Sequence, residues 1–363
     1  MERRTHIYRQ IVLRLVGKEQ MAVGTIVAVE GATPQVPGAS ALFTNRGLLL
    51  GTLGGGMLEA EAEQRALLCL KQGQSLLFRF DLHGEDMEEG EPVCGGSAWV
   101  LIDGAPAEHL AVWRSLEEAL RARRSGYLVT QVNPRAGEKV KVKRLWLDEE
   151  SVAEGGEEAA LGRLTRRLDE AGRKKEPLFV QDKLISKGRP SSFFIEPLFP
   201  VPRLLVVGAG HIGRAVARQG SRLDFEVTVI DDRPEYASRE RLPEADSLVV
   251  GGIEGTTRAF PVSSDTYIVI VTRGHRYDAE ALRTFIRSPA AYIGMIGSRQ
   301  KVALMKERFL SEGWATAQEW DRIHTPIGLK IGSRTVEEIA VSIAAELVQV
   351  RSRIREARSG DKP

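Results

Sequence analysis

Cysteine is scarce: two residues, Cys69 and Cys94, in a chain of 363, forming neither a CxxC pair nor a zinc-type spacing. A disulfide framework is thereby excluded, and a reducing cytoplasm is the expected compartment. No apolar run reaches membrane-spanning length, and the N-terminal stretch MERRTHIYRQIVLRLVGKEQ lacks the uninterrupted apolar core of a secretory signal. Charge of one sign is not in excess either. A formal net charge of +2 argues against a nucleic-acid coat or an acidic tail. Also missing are HExxH, GxSxG and the P-loop pattern GxxxxGK followed by Ser or Thr, so the common zinc-protease, esterase and nucleotide-hydrolase chemistries find no motif.

Hydrophobic residues make up 42% and charged residues 28%, a globular composition long enough for two cores. Ile7, Ile11, Val12, Leu15 and Val16 recur at helical spacing and predict a helix over 5–18. Strand-like MAVGTIVAVEG, SALFTNRG, SLLFRFDL and SAWVLID surround a helix predicted from Met57 to Leu70, giving a mixed α/β domain over 1–104. Residues 105–199, with a Glu-, Arg- and Lys-rich tract, read as an extension and linker. From 200 to 350 the alternation becomes strand, helix, strand, which predicts a Rossmann-like doubly wound parallel sheet, followed by a polar tail over 351–363.

Glycine is plentiful, with 36 residues, and two clusters draw the functional argument. VVGAGHIG places Gly208, Gly210 and Gly213 in a GxGxxG register around His211, between an apolar strand and a helix. Asp231, 23 residues after Gly208, ends the next strand, FEVTVIDD, where a carboxylate accepts from a ribose. Together they predict a site for NAD or NADP, with Arg233 a candidate for a 2′-phosphate and an empty, vestigial Rossmann unit as the bland alternative. GTLGGGMLE sets Gly54, Gly55 and Gly56 at a helix entrance, either as an anion site or as a tight packing turn. Glu59 lies in the first turn, where it also suits the helix dipole. Cys94, in VCGG, is a candidate nucleophile or soft metal ligand, whereas Cys69, on an apolar helix face, reads as core. Arg273 and His275 in VTRGHRYD, and Ser298 and Arg299 in IGMIGSRQK, fall after strands at the ligand-binding edge of such a sheet, where the bland reading is solvated charge. Thr335 and Glu338 form a capping box before a long apolar-striped helix.

GTLGGGMLEAEA, VCGG, VVGAGHIG, VTRGHRYD, YIGMIGSRQKV and IHTPIGLKIGSRTVEEIAVSIAAEL together resemble the XdhC/CoxI family of molybdenum hydroxylase maturation factors. The resemblance implies an accessory factor rather than an independent enzyme: a chaperone that binds the molybdenum cofactor, molybdopterin, and assists its sulfuration and its insertion into apo xanthine dehydrogenase or a relative. It implies a cysteine desulfurase as sulfur donor, and a homo-oligomer is expected. Under this resemblance Gly54, Gly55 and Gly56 would hold the cofactor's phosphate and Cys94 would approach the metal, while Arg273, His275 and Arg299 add contacts from the C-terminal domain. Met57 stands where some relatives carry a cysteine, so a site with two thiols is not implied. An NAD(P)-dependent oxidoreductase is the alternative, and a Rossmann module used only for docking is a third reading.

Overall fold

The computed structural model describes residues 4–81, 95–148, 159–181 and 191–359. They divide into two compact units, Met1–Pro200 and Val201–Ala357.

The first unit runs α1 (Arg4–Val16), β1 (Ala22–Glu30), β2 (Ser40–Thr44), β3 (Gly47–Gly51), α2 (Gly56–Gln72), β4 (Ser75–Asp81), β5 (Ser97–Asp103), α3 (Leu110–Arg121), β6 (Gly126–Pro134), β7 (Lys139–Asp148), α4 (Ala159–Lys174), β8 (Leu178–Gln181) and β9 (Ser192–Leu198). Its strands form one nine-stranded sheet in the order β3-β2-β1-β5-β4-β7-β6-β9-β8. Successive side chains of β1 point to opposite faces, and both faces are covered, which is why the strand is buried with little alternation. Ala22 and Ile26 meet Leu58, Ala62, Ala66 and Cys69 of α2. Val23 packs instead with Ile7 and Ile11 of α1 and Trp113 and Leu116 of α3. A fully buried Leu or Ile side chain in these clusters contributes about 1.5–3 kcal/mol.

Residues 105–199, expected as an extension and linker, supply β6 to β9, α3 and α4 and share this sheet. A buried ion pair ties the two stretches together. Arg144 of β7 donates from Nη2 and Nε to Asp103 Oδ2 of β5, at 2.9 and 3.2 Å. The other carboxylate oxygen accepts from Ser75 Oγ and the Ala105 N–H, at 3.2 and 3.1 Å. The Arg144 guanidinium also reaches Thr130 Oγ1 and lies 4.6 Å from the centre of the Trp113 ring.

The second unit runs β10 (Arg203–Val207), α5 (His211–Arg222), β11 (Glu226–Asp231), β12 (Ser247–Val250), α6 (Ile253–Ala259), β13 (Thr266–Ile270), α7 (His275–Phe285), β14 (Tyr292–Met295), α8 (Arg299–Ser311), α9 (Ala317–Asp321) and α10 (Val336–Ser359). Its five strands are parallel, in the order β12-β11-β10-β13-β14. This is the doubly wound arrangement expected from the alternation. Leu204 and Val206 face α5 and α10, meeting Val216, Ala340, Ile343 and Leu347. Leu205 and Val207 face α7 and α8, meeting Leu282, Phe285 and Phe309. The capping box forms as the sequence indicates: Glu338 N donates to Thr335 Oγ1 at 3.2 Å and Thr335 N to Glu338 Oε2 at 2.9 Å. Among the described residues, no helix is long and apolar enough to cross a membrane.

Candidate functional site

In the first unit the glycine triplet divides into two kinds of residue. A Cβ on Gly54 would come within 2.8 Å of Pro34 Cγ, so here the chain's own GATPQVPG loop requires the glycine. At Gly55 and Gly56 a Cβ would meet nothing within 4 Å. Their φ angles of 74° and 57° are left-handed, a conformation glycine adopts without the steric cost other residues bear. They deliver the chain into α2 with the helix entrance beside open space, and the first N–H groups of a helix lack intrahelical acceptors. Glu59 is engaged by its own loop. Its Oε2 accepts from Thr52 Oγ1 at 2.7 Å and from Leu53 N at 2.9 Å, and Thr52 Oγ1 in turn accepts from Gly54 N at 3.0 Å, so Glu59 shapes the loop. Met57 is exposed. Cys69 is fully buried, and burial pushes its thiol up to about 12, which makes it chemically quiet. Cys94 lies outside the described residues.

In the second unit the strand order reverses between β10 and β13, and the loops after these strands flank the switch point. A Cβ on Gly213 would strike the Gly208 carbonyl, and one on Gly208 the Val271 carbonyl, whereas at Gly210 nothing lies within 4 Å. The closed positions are thus packing glycines, and Gly210 borders open space. His211 is the exposed first residue of α5, and Gly210 its N-cap.

Asp231 sits where the spacing places it, at the end of β11, but its carboxylate is occupied. Oδ2 accepts from Ala209 N at 2.7 Å and Arg233 Nη2 at 3.0 Å, and Oδ1 from Arg233 Nε at 2.9 Å and Arg233 N at 3.0 Å. Burial acts to raise the Asp231 carboxyl, but the Arg233 fork and the Ala209 N–H outweigh it and hold the group below the usual carboxylate range. Arg273 is likewise engaged, with Asp232 at 2.6 Å and the Tyr277 hydroxyl at 3.0 Å. His275 begins α7 and is exposed; Ser298 caps α8 by accepting from Lys301 N, and Arg299 beside it is exposed.

Two polar centres carry no mark in spacing alone. Asp278, 4% exposed, accepts from Thr272 Oγ1 and Thr272 N at 2.6 and 3.1 Å, and burial pushes its carboxyl up to about 6. Glu346 of α10 accepts from the Tyr292 hydroxyl at 2.5 Å and from Gly328 N at 2.9 Å, with His324 Nδ1 3.1 Å away. Burial pushes the Glu346 carboxyl up, but these partners prevail and hold it low. The signals lay in the blocks themselves: Asp278 in VTRGHRYD, Tyr292 in YIGMIGSR, His324 in IHTPIG and Glu346 in VSIAAEL. Among the described residues no group of three or more His, Cys, Asp or Glu is arranged to hold a metal ion.

Two protein-family models match the chain, the XdhC and CoxI family over residues 16–81 and the XdhC Rossmann domain over 204–347. A Bacillus subtilis (strain 168) protein, described as a probable xanthine dehydrogenase subunit, is 29% identical over 345 residues, which is 93% of this chain and 95% of that one. An uncharacterized Escherichia coli (strain K12) protein, YqeB, is 34% identical over 166 residues, 46% of this chain and 30% of that one. The crystal structure of a protein from Bacillus halodurans described as a xanthine dehydrogenase aligns with a TM-score of 0.71 at 24% identity, covering 95% of this chain and 96% of that one, a likeness of fold.

Proposed function

The chain belongs to the XdhC and CoxI family, and from that premise we propose that it is an accessory factor for xanthine dehydrogenase or a related molybdenum hydroxylase. In this reading it binds the molybdenum cofactor as cargo, attends its sulfuration by a cysteine desulfurase and assists its insertion into the apoenzyme. The observation that carries the reading is the pair Gly55 and Gly56, left-handed, open on the Cβ side and set at the entrance of α2. A pyranopterin cofactor ends in a phosphate, and a helix entrance with room for close approach suits that group. When bound, the cofactor supplies a dithiolene-held molybdenum. A soft donor suits it, and Cys94 is the thiol this chain offers outside the α2 core.

The test is molybdenum content and oxidised-pterin fluorescence of the purified protein, alongside activation of an apo molybdenum hydroxylase given cofactor and a sulfur source. The expected result is cofactor on the wild type, less on Gly55→Ala and Gly56→Ala, and activation that depends on the protein. Equal activation with and without it sinks the proposal. The open approach at Gly210 favours a second reading, an NAD(P)-dependent oxidoreductase; steady NAD-dependent turnover of a small substrate without any client would put that reading first.

A further inference from the structure

A βαβ unit that binds a dinucleotide uses the acidic residue at the end of its second strand to accept hydrogen bonds from the adenosine ribose. Asp231 occupies that position in β11, yet the acceptor capacity of a carboxylate is about four lone-pair sites, and four donors already converge on it. One, the Ala209 N–H, belongs to the glycine loop and is compatible with a bound nucleotide. The other three come from Arg233. Its guanidinium forks across both oxygens, a charge-assisted and directional arrangement. It is braced from behind by Tyr236, whose ring centre lies 3.7 Å away. Asp232 offers no substitute, because Arg273 holds it at 2.6 Å.

We infer that Arg233 fills the ribose subsite of this unit from within, so that an adenine dinucleotide enters only after the guanidinium leaves Asp231. The glycine loop points the same way: Gly210 leaves room for phosphates, so the βαβ unit is open at its phosphate end and closed at its ribose end. Arg233 is therefore a specificity-determining residue that sets the unit against NAD-type ligands. The inference is independent of any role in cofactor maturation, because it concerns only β10, α5 and β11.

The experiment is calorimetric titration of the full chain with NAD and, separately, NADP, in the wild type, Arg233→Ala, Arg233→Lys and the double variant Asp231→Asn with Arg233→Ala. Arg233→Ala is expected to bind NAD at least about tenfold more tightly than wild type, because loss of the guanidinium frees two of the four acceptor sites while the carboxylate and its bond from the residue 233 N–H remain. Arg233→Lys keeps a charge beside Asp231 but loses the fork, and is expected to gain about threefold; it decides the matter if the alanine variant has no cooperative melt. The double variant should lose the gain. Unchanged, weaker or undetectable NAD binding in the folded Arg233 variants overturns the inference, as does a gain that survives removal of the Asp231 charge. Tight NADP binding by the wild type that disappears in Arg233→Ala also overturns it, since Arg233 would then be a phosphate ligand rather than a plug.

Discussion

Asp278 lies buried with its carboxyl raised to about 6 because water is excluded from it, against an ordinary value of 3.8. The folded state therefore holds this proton more tightly than the unfolded state. The resulting stability is fully present below about pH 4 and is lost as pH rises through about 6. Asn at 278 would keep an acceptor for Thr272 without the charge, so the stability of Asp278→Asn relative to wild type should grow by on the order of 3 kcal/mol between pH 4 and 7. Urea unfolding of both proteins across that range checks the sign. The two cysteines should separate by a different measurement. Cys69→Ser puts a hydroxyl among Leu58, Ala62 and Ala66 and should lower stability by about 1–3 kcal/mol, read by thermal melting, with molybdenum content unchanged. Cys94→Ser should leave the melt alone and reduce molybdenum content, since a hydroxyl is a harder and less easily ionised donor.

At the scale of elements, polar side chains fasten segments that lie far apart in sequence. Asp103 and Arg144 join β5 to β7 with side-chain exposures of 1% and 3%. Arg144→Met strands a buried carboxylate and should destabilise the protein by about 3–5 kcal/mol in chemical denaturation, and adding Asp103→Asn should restore a good part of that loss. Glu346 fastens α10 to Tyr292 and Gly328; its replacement by Ala leaves the buried Tyr292 hydroxyl and the Gly328 N–H without their acceptor and should cost about 2–4 kcal/mol in the same measurement, Gln at that position less. These ties also mark where the sequence stops being readable. The strand into GAGHIG, the strand ending at Asp231 and the helix after Thr335 were legible because each depends on near neighbours. YLVTQV, KRLWLD and SSFFIEPLFPVP read as strands, but their place in the first sheet was not legible, because it depends on long-range contacts such as that of Arg144 with Asp103. Nor was the state of the ribose acceptor: spacing puts Asp231 in place, but only side-chain geometry reveals that Arg233 has taken its lone pairs. Glu346 falls in an apolar stripe, where a carboxylate gives no hint of which partners will satisfy it.

For the whole molecule, the second unit carries its own covering on both faces of its sheet, α5 and α10 on one and α7 and α8 on the other. Residues 201–359 expressed alone should therefore give a single cooperative melting transition, with a chevron free of intermediates as the kinetic counterpart. A broad, non-cooperative melt for that segment would show that it depends on the first unit. The late position of α10 has a further consequence, for synthesis rather than for stability. Translation is vectorial, so every strand of the parallel sheet, through Met295, leaves the ribosome before Ala340, Ile343 and Leu347 do. Until then Leu204, Val206, Val227 and Val229 lack that half of their covering, and an apolar sheet face held open is where nascent chains associate wrongly. Slow codons placed just before Val336 should accordingly raise chaperone dependence and lower soluble yield, while the same codons placed before Arg203, ahead of the first strand of that sheet, should not.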